Sequence, residues 1–101
     1  MERFELNTRL YPNKRLALEL IENGEPWGLL TTNLVEASVT DDEICIPSWN
    51  LPEEVLVKFL ASGKFEDTGR LEPAGFVEAP VWRVMCPEIL ERASRQRAAA
   101  K

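Results

Sequence analysis

The chain has 101 residues, of which 45% are hydrophobic and 29% are charged, and its formal net charge is −5 at pH 7. These values are typical of one globular domain with a single core, and they exclude a disordered chain or a two-domain protein. The sequence contains no histidine, which excludes Ser-His-Asp and Cys-His catalytic pairs and a conventional catalytic zinc site.

The first third of the sequence predicts a β-meander. From Phe4 to Leu10, apolar residues or threonine alternate with polar residues, which is the period of a half-buried strand. A second strand is predicted over residues 16–21 and a third over residues 27–34. Asn23-Gly24 predicts a type I′ hairpin turn between them, because both central residues of that turn need positive φ.

The middle of the chain predicts a polar connection over residues 35–43, a short strand and a helix. Ile44-Cys45-Ile46 is a fourth strand or an edge piece, and Pro47 ends it. Pro52 fits the first turn of the helix, where its missing N–H costs nothing, and a stripe of apolar side chains follows on one face. Gly63 is the expected C-terminal cap.

The last third predicts a loop over residues 65–75, a strand over residues 76–85 and a second helix. Pro80 within the strand indicates an edge position or a bulge. The second helix is predicted from Pro87 to about Arg97, with a frayed end because its apolar residues cover only the first two turns. The predicted fold class is therefore α+β: an antiparallel β-sheet of about four or five strands, one helix packed on a face and a C-terminal helix.

Charge is distributed unevenly along the chain. Residues 1–91 hold all seventeen acids and eight bases, a net charge of −9, whereas residues 92–101 carry +4. We therefore predict a single globular domain over residues 1–91 and a basic C-terminal helix end or tail over residues 92–101. Residues 16–57 contain no lysine or arginine and carry nine acids: Glu19, Glu22, Glu25, Glu36, Asp41, Asp42, Glu43, Glu53 and Glu54. Such a stretch repels nucleic acid and membranes and attracts basic protein surfaces.

Metal and cofactor sites are not predicted. Asp41-Asp42-Glu43 lacks the alternating oxygens and central glycine of a calcium loop, so a solvated loop is the favoured interpretation. Cys45 and Cys86 are too few for zinc and are expected to be buried free thiols in a reducing cytosol. An enzyme that uses only carboxylates is an alternative, but a domain of this size offers little room for its cleft.

The tryptophans and the C-terminal arginines each admit two interpretations. Trp27 and Trp82 lie in predicted strands and are expected to be core residues, whereas Trp49 is equally suited to the core or to an interface. Three C-terminal arginines could bind phosphate, but complementing the dipole at a helix C-terminus is the favoured role; they are Arg92, Arg95 and Arg97.

Several segments resemble a short, uncharacterised bacterial domain family found on mobile elements. The resemblance rests mainly on Glu66-Asp67-Thr68-Gly69-Arg70 and on the sequence Pro-Ala-Gly-Phe-Val-Glu-Ala-Pro-Val at residues 73–81. Residues 16–20, 24–27 and 32–34 resemble the N-terminal half of the same family, so about residues 10–84 are covered. The resemblance implies a plasmid, conjugative element or phage, and it transfers no catalytic residue.

The Glu66–Arg70 block also has a structural interpretation. Gly69 and Gly75 permit positive φ, and Asp67 predicts an Asx turn. Arg70 is expected to pair with Glu66 or Asp67. A structural lock is therefore favoured over a functional site.

Together these features predict a non-enzymatic acidic inhibitor that resembles the anti-defence, anti-CRISPR-like proteins of phages and plasmids. Its partner would be the basic DNA-binding surface of a host defence complex, with a CRISPR complex preferred over a restriction enzyme. The predicted partner-binding residues are Glu36, Asp41, Asp42, Glu43, Trp49, Glu53 and Glu54. The alternative is an accessory or regulatory structural protein of the element that self-associates or contacts another protein.

The expected setting follows from the same features. We expect a monomer or dimer in the cytoplasm of the bacterial host, because the N-terminus has no apolar signal-peptide region and no apolar run approaches the length of a membrane span. We expect no cofactor, no membrane partner and no direct binding to nucleic acid, which the net charge of −9 on residues 1–91 would repel.

Overall fold

In the part of the chain that the structure describes, six strands form two antiparallel three-stranded sheets that share one main core with two helices. The computed structural model of the protein describes residues 4–99. The first sheet has the order β1-β2-β3 and the second has the order β4-β6-β5. The elements are β1 (Glu5–Leu10), β2 (Leu16–Glu22), β3 (Glu25–Leu29), β4 (Glu43–Cys45), a 3₁₀ turn (Ser48–Asn50), α1 (Glu53–Ala61), β5 (Phe65–Ala74), β6 (Val77–Val84) and α2 (Pro87–Ala99). This arrangement confirms the α+β class, with the strands divided between two sheets.

The first sheet is built from local signals. Asn23 and Gly24 have φ values of 53° and 80°, which confirms the predicted hairpin turn. Leu16, Leu18 and Leu20 are buried on the core face of β2. Strand β3 ends at Leu29, earlier than predicted, because the chain then crosses to the second sheet, where Thr32 forms a bridge with Cys45 of β4.

The second sheet contains the main departure from the predicted elements. Residues 65–75 are not a loop: residues 65–74 form strand β5. Three of its residues, Thr68, Gly69 and Arg70, lie opposite a single residue of β6, because Asp67 pairs with Trp82 and Leu71 pairs with Pro80. The turn-forming residues are thus used inside a strand, in a wide bulge.

Pro80 lies next to that bulge and not at a sheet edge. Strand β6 is the central strand of its sheet, so the predicted edge position is wrong. The other predicted alternative, a bulge, is present in the paired strand β5. The carbonyl of Pro80 accepts a hydrogen bond from the Ile46 amide at 2.9 Å. A proline is tolerated here because the irregular pairing beside it needs no amide from this position.

A row of aromatic rings runs through the core and connects the two sheets. Trp27 of β3 contacts Phe4, with 4.8 Å between ring centroids, and Phe4 lies 6.5 Å from Phe59 of α1. Phe59 lies 5.9 Å from Phe65 of β5, and Phe65 lies 5.8 Å from Trp82 of β6. Phe59 of helix α1 therefore links Phe4, the residue just before β1, to Phe65 of the second sheet.

The tryptophan predictions have different outcomes. Trp82 is a core residue, 2% exposed, as predicted. Trp27 is 37% exposed, so its assignment to the core is wrong. It lies on an edge strand where the β2–β3 register shifts, and it covers Phe4 while part of its ring stays in solvent.

Helix α2 packs against β1 and holds the two ends of the described chain together. Ile89 and Ala93 are buried in this contact. Near the end of the helix, the Gln96 side chain donates a hydrogen bond to the Thr8 carbonyl at 2.7 Å. The segment predicted as a helix end or tail is helical as far as Ala99, and its last turn is anchored, contrary to the expected fraying. Residues 100 and 101 lie outside the described range.

Candidate protein-binding surface

The prediction that Glu43 lies in an exposed loop is wrong. It lies in strand β4 with only 4% of its surface exposed. Arg70 Nη1 lies 2.8 Å from its carboxylate and Arg83 Nη2 lies 3.6 Å away. The Thr40 amide donates a further hydrogen bond to Glu43 at 3.1 Å. A carboxylate with these partners stabilises the fold and cannot also face a binding partner.

The pKa of Glu43 reflects these opposing effects. Burial alone would raise the pKa, because it disfavours the charged carboxylate. The hydrogen bonds from Thr40 and Arg70 and the charges of Arg70 and Arg83 outweigh burial, so the pKa lies below its ordinary value. Glu43 is therefore ionised at neutral pH.

Arg70 pairs with Glu43, and the predicted pairing with Glu66 or Asp67 is wrong. Asp67 instead accepts a hydrogen bond from the Gly69 amide at 2.9 Å, which confirms the predicted Asx turn. The bulge changes the direction of the Arg70 side chain, which follows this turn, as bulges commonly do. Arg70 thus reaches across to β4, and the block acts as a structural lock by a different contact from the one predicted.

Arginines from three parts of the chain hold the connection between the two sheets, which we call the 34–42 connection. Arg15 donates to the carbonyls of Leu34 and Ala37, the latter at 2.7 Å. Arg70 donates to the Ser38 carbonyl at 2.6 Å, and Arg97 donates to the Asp41 carbonyl at 3.1 Å. A guanidinium offers five N–H donors in a fixed plane, which suits it to hold several carbonyls of one loop.

We call Arg15, Arg70 and Arg97 the clamp. It was not predicted from the sequence, because none of these arginines is close in sequence to the carbonyls that it holds. The clamp fixes the backbone from which the acidic side chains project. Glu36 and Asp41 are both exposed on the 34–42 connection. Asp42 is less available, because its carboxylate hydrogen-bonds with Thr40 and lies 4.0 Å from Arg83.

Trp49 and the first turn of α1 form a second exposed segment. Trp49 lies in the 3₁₀ turn and is 48% exposed, which favours the interface interpretation over the core. Glu53 and Glu54 follow in the first turn of α1, both exposed. Negative side chains at this position also stabilise the helix through its dipole. An apolar ring and two carboxylates therefore lie within six consecutive residues.

The seven predicted residues thus divide into three groups. Trp49, Glu53 and Glu54 form one exposed segment, and Glu36, Asp41 and Asp42 project from the clamped connection. Glu43 alone is the third group, because it is buried in an ion-pair network.

An apolar cleft lies between β1, α1 and α2, and sequence reasoning missed it. It has a volume of about 460 Å³, within the range of ligand pockets. Phe4 and Leu6 of β1, Val55 and Phe59 of α1, and Ile89 of α2 form its apolar lining. The periodic apolar residues of each element are visible in the sequence, but the gap between the elements depends on how the helices pack.

The described residues have three further properties. Within residues 4–99, no group of three or more acidic or cysteine side chains is arranged to hold a metal ion. In the same part of the chain, neither helix is long and apolar enough to cross a membrane. Cys45 and Cys86 are free thiols, as predicted, but only Cys45 is buried, because Cys86 is half-buried. No protein-family model, curated protein or solved structure matches the chain.

Proposed function

We propose that the protein is a non-enzymatic, acidic inhibitor of a phage or other mobile element, which binds a host defence nuclease complex of the CRISPR type in the bacterial cytoplasm. It would occupy the basic surface of that complex to which DNA binds. The observation that carries the proposal is the presence of exposed carboxylates on a clamped backbone in a chain that also exposes Trp49.

The clamp matters because binding costs conformational entropy. A loop that is already ordered loses less freedom when it binds than a flexible loop does. The guanidinium groups of Arg15, Arg70 and Arg97 hold the 34–42 connection, so Glu36 and Asp41 keep a fixed spacing. Carboxylates at fixed positions mimic the phosphates of a nucleic acid, which a basic channel holds by its lysines and arginines.

Trp49 supplies an apolar anchor, which carboxylates alone cannot provide. Exposed charges mainly accelerate association, whereas a buried aromatic anchor contributes to the lifetime of a complex. Glu53 lies four residues beyond Trp49, so one patch of the surface offers both an apolar and a negative contact. Glu43 has no contacting role in this proposal and instead holds the connection in place.

The test is a pull-down with the tagged protein from bacteria that express a CRISPR surveillance complex or, in parallel, a restriction enzyme. We expect a defence complex to be recovered and its DNA binding to be lost. The variant with Asp41→Lys and Glu53→Lys should lose binding, and Trp49→Ala should shorten the lifetime of the complex. The matched control, Glu25→Lys with Glu91→Lys, changes the net charge equally at exposed positions elsewhere. Recovery of no defence component, or equal binding by the two double variants, would refute the proposal.

A second candidate function is an accessory protein of the element that acts by self-association. It is favoured by a different observation, a fully exposed phenylalanine at Phe76 together with the apolar cleft. Solution mass separates the two candidates, because a nuclease inhibitor of the proposed kind needs no second copy of the chain.

A further inference from the structure

Phe76 is fully exposed at the tip of the β5–β6 hairpin. Strand β4 pairs with β6 only at residues 81–83, so the last four residue pairs of the hairpin extend beyond β4 as a two-stranded arm. The base of this arm is packed against the rest of the protein, because Ala79 is fully buried and the Pro80 carbonyl is bonded by the Ile46 amide. The pairs continue to the very end, where Ala74 lies opposite Val77. The phenyl ring is thus held at the end of an ordered arm.

The turn itself does not require an aromatic residue. Gly75 has a φ of 75° and Phe76 has no positive φ, which is the pattern of a type II′ turn. That turn demands glycine at its first central position, and small polar residues such as asparagine and serine suit the second. A fully exposed phenylalanine there adds nothing to the fold, whereas exposed aromatic residues are frequent anchors of interfaces.

Apolar surface continues along the arm behind this ring. Leu71 and Val77 are exposed, and their places in the register put them on opposite faces of the hairpin. An arm that is apolar at its tip and on both faces fits a concave site better than a flat one. The cleft between β1, α1 and α2 is a concave site of suitable chemistry, lined by Phe4, Phe59 and other apolar side chains.

The tip cannot reach the cleft of its own chain. Lys64 lines the cleft and strand β5 begins at the next residue. Strand β6 spans the same hairpin in seven steps of about 3.3 Å each, so the tip lies roughly 23 Å away from the start of β5. The arm is paired along its length and does not fold back. Phe76 can therefore enter only the cleft of another molecule.

Two bases on the rim of the cleft, Lys58 and Arg92, make the arm of another copy a suitable occupant. The arm carries Glu72 and Glu78 and no base between residues 71 and 82. The rim of the cleft is balanced, with three bases (Lys58, Lys64 and Arg92) and three acids (Glu5, Glu54 and Glu88), in a protein whose net charge is −5. Lys58 and Arg92 form no ion pair within residues 4–99. They can therefore pair with the two glutamates of an incoming arm.

We propose that the chain associates head to tail, with Phe76 of one copy seated in the β1–α1–α2 cleft of the next. This contact joins two different surfaces, so each copy keeps one free tip and one free cleft. Contacts of this kind produce closed rings or open chains, and not a symmetric dimer. The inference rests on the second candidate function, self-association, and names the surfaces that carry it. Those surfaces are separate from Glu36, Asp41, Trp49 and Glu53, which carry the nuclease-binding proposal, so each can fail without the other.

Sedimentation velocity of the full chain from about 10 µM to about 1 mM, the range of weak association, tests the inference. We expect the mass to rise with concentration beyond that of a dimer. The variant Phe76→Asn, which keeps a residue suited to the turn, should remain monomeric. Lys58→Glu with Arg92→Glu should weaken association at least tenfold. Far-UV circular dichroism and thermal unfolding of each variant establish that it is folded, and Phe76→Ser replaces any tip variant that is not.

A mixing experiment identifies the surfaces. The Phe76→Asn variant has an intact cleft but no aromatic tip. The Lys58→Glu, Arg92→Glu variant has an intact tip but a cleft whose rim binds weakly. Mixed with an excess of wild-type protein, Phe76→Asn should shorten the assemblies, because it accepts a tip and offers none. Alkylation of Cys86, which lines the cleft, should make the wild type monomeric, whereas wild-type protein taken through the same steps without the reagent should still associate. A wild type that stays monomeric throughout, association that survives Phe76→Asn, or association unaffected by alkylation of Cys86 would overturn the inference.

Discussion

The guanidinium of Arg70 lies 2.8 Å from the carboxylate of Glu43, a residue 27 positions earlier in the sequence. The contact joins the bulge of β5 to strand β4. The same arginine also holds the Ser38 carbonyl, so the bulge, the strand and the 34–42 connection meet at one side chain. The stability of this region should therefore depend on the Glu43 carboxylate.

Replacing Glu43 by glutamine should destabilise the protein by about 1–3 kcal/mol. The substitution keeps the size of the side chain but leaves Arg70 and Arg83 without their buried negative partner, and hydrogen bonds to charged groups are worth about this much. Urea unfolding followed by circular dichroism measures the change. Asp41→Asn is the control, because exposed substitutions usually change stability by only about 0.5 kcal/mol. Equal midpoints for the two variants would contradict the prediction.

The pH dependence of stability should have a component that belongs to Glu43. Its pKa is lower in the folded protein than in the unfolded chain, so protons bind more tightly to the unfolded state. The resulting stabilisation is fully present above the unfolded pKa of about 4.5 and is lost as the pH falls through the lower, folded value. Unfolding measured between about pH 7 and pH 3 should show a shallower acid loss for Glu43→Gln than for the wild type. Parallel curves would show that other carboxylates cause the loss.

The two thiols should differ in reactivity towards a disulfide reagent such as Ellman's reagent. Burial raises the pKa of the Cys45 thiol, and nearby Glu72 adds to the shift, so little thiolate forms at neutral pH. Cys86 is half-buried and lines the cleft. We expect one thiol to react in the native protein and the second only on unfolding. Cys86→Ser should abolish the fast phase, and a fast phase that persists in this variant would show that Cys45 is accessible.

The C-terminal arginines should not confer binding to DNA. Deleting residues 92–101 is not a clean test, because it removes buried Ala93 and the Gln96 bond to Thr8. The substitutions Arg92→Gln and Arg95→Gln instead remove two exposed charges. We expect no mobility shift of duplex DNA at physiological salt by the wild type or by this variant, since the rest of the chain repels phosphates. A shift that the two substitutions abolish would assign these arginines to a nucleic-acid site.

Gly69 should be required for the bulge of β5. Its φ is 81°, and a Cβ atom at this position would meet no other atom within 4 Å, so the cost of alanine is backbone strain alone. We expect Gly69→Ala to lower stability by about 1 kcal/mol. Gly28→Ala is the matched control, because that position is equally open and has no positive φ. Equal melting temperatures would show that the bulge relaxes without cost.

Local patterns were sufficient to predict the hairpin turn at Asn23-Gly24, helix α1 and helix α2, because each is encoded within a few consecutive residues. Strand β5 was missed for the opposite reason. Its glycine and aspartate are normally turn signals, and only pairing with β6 makes an extended strand with a bulge out of them. Such pairing depends on residues that are distant in sequence.

The candidate site shows the same limit. Asp41, Asp42 and Glu43 are adjacent acids, and nothing in their sequence indicates that Glu43 is buried while Asp41 is exposed. That difference is produced by Arg70, which arrives from another strand. The clamp on the 34–42 connection and the cleft are likewise tertiary features, so the charge of the surface was predictable but its ordered backbone was not.

The contact between α2 and β1 has a consequence for synthesis on the ribosome. The Thr8 and Lys14 carbonyls, near the beginning of the chain, are hydrogen-bonded by Gln96 and Arg97. Translation delivers the first strands well before the helix that covers them. Until α2 emerges, the apolar face of the β1–β3 sheet stays open to water and to chaperones. Folding of this domain is therefore completed only once α2 has left the ribosome, and a nascent chain whose α2 has not yet emerged exposes apolar surface that is prone to aggregate.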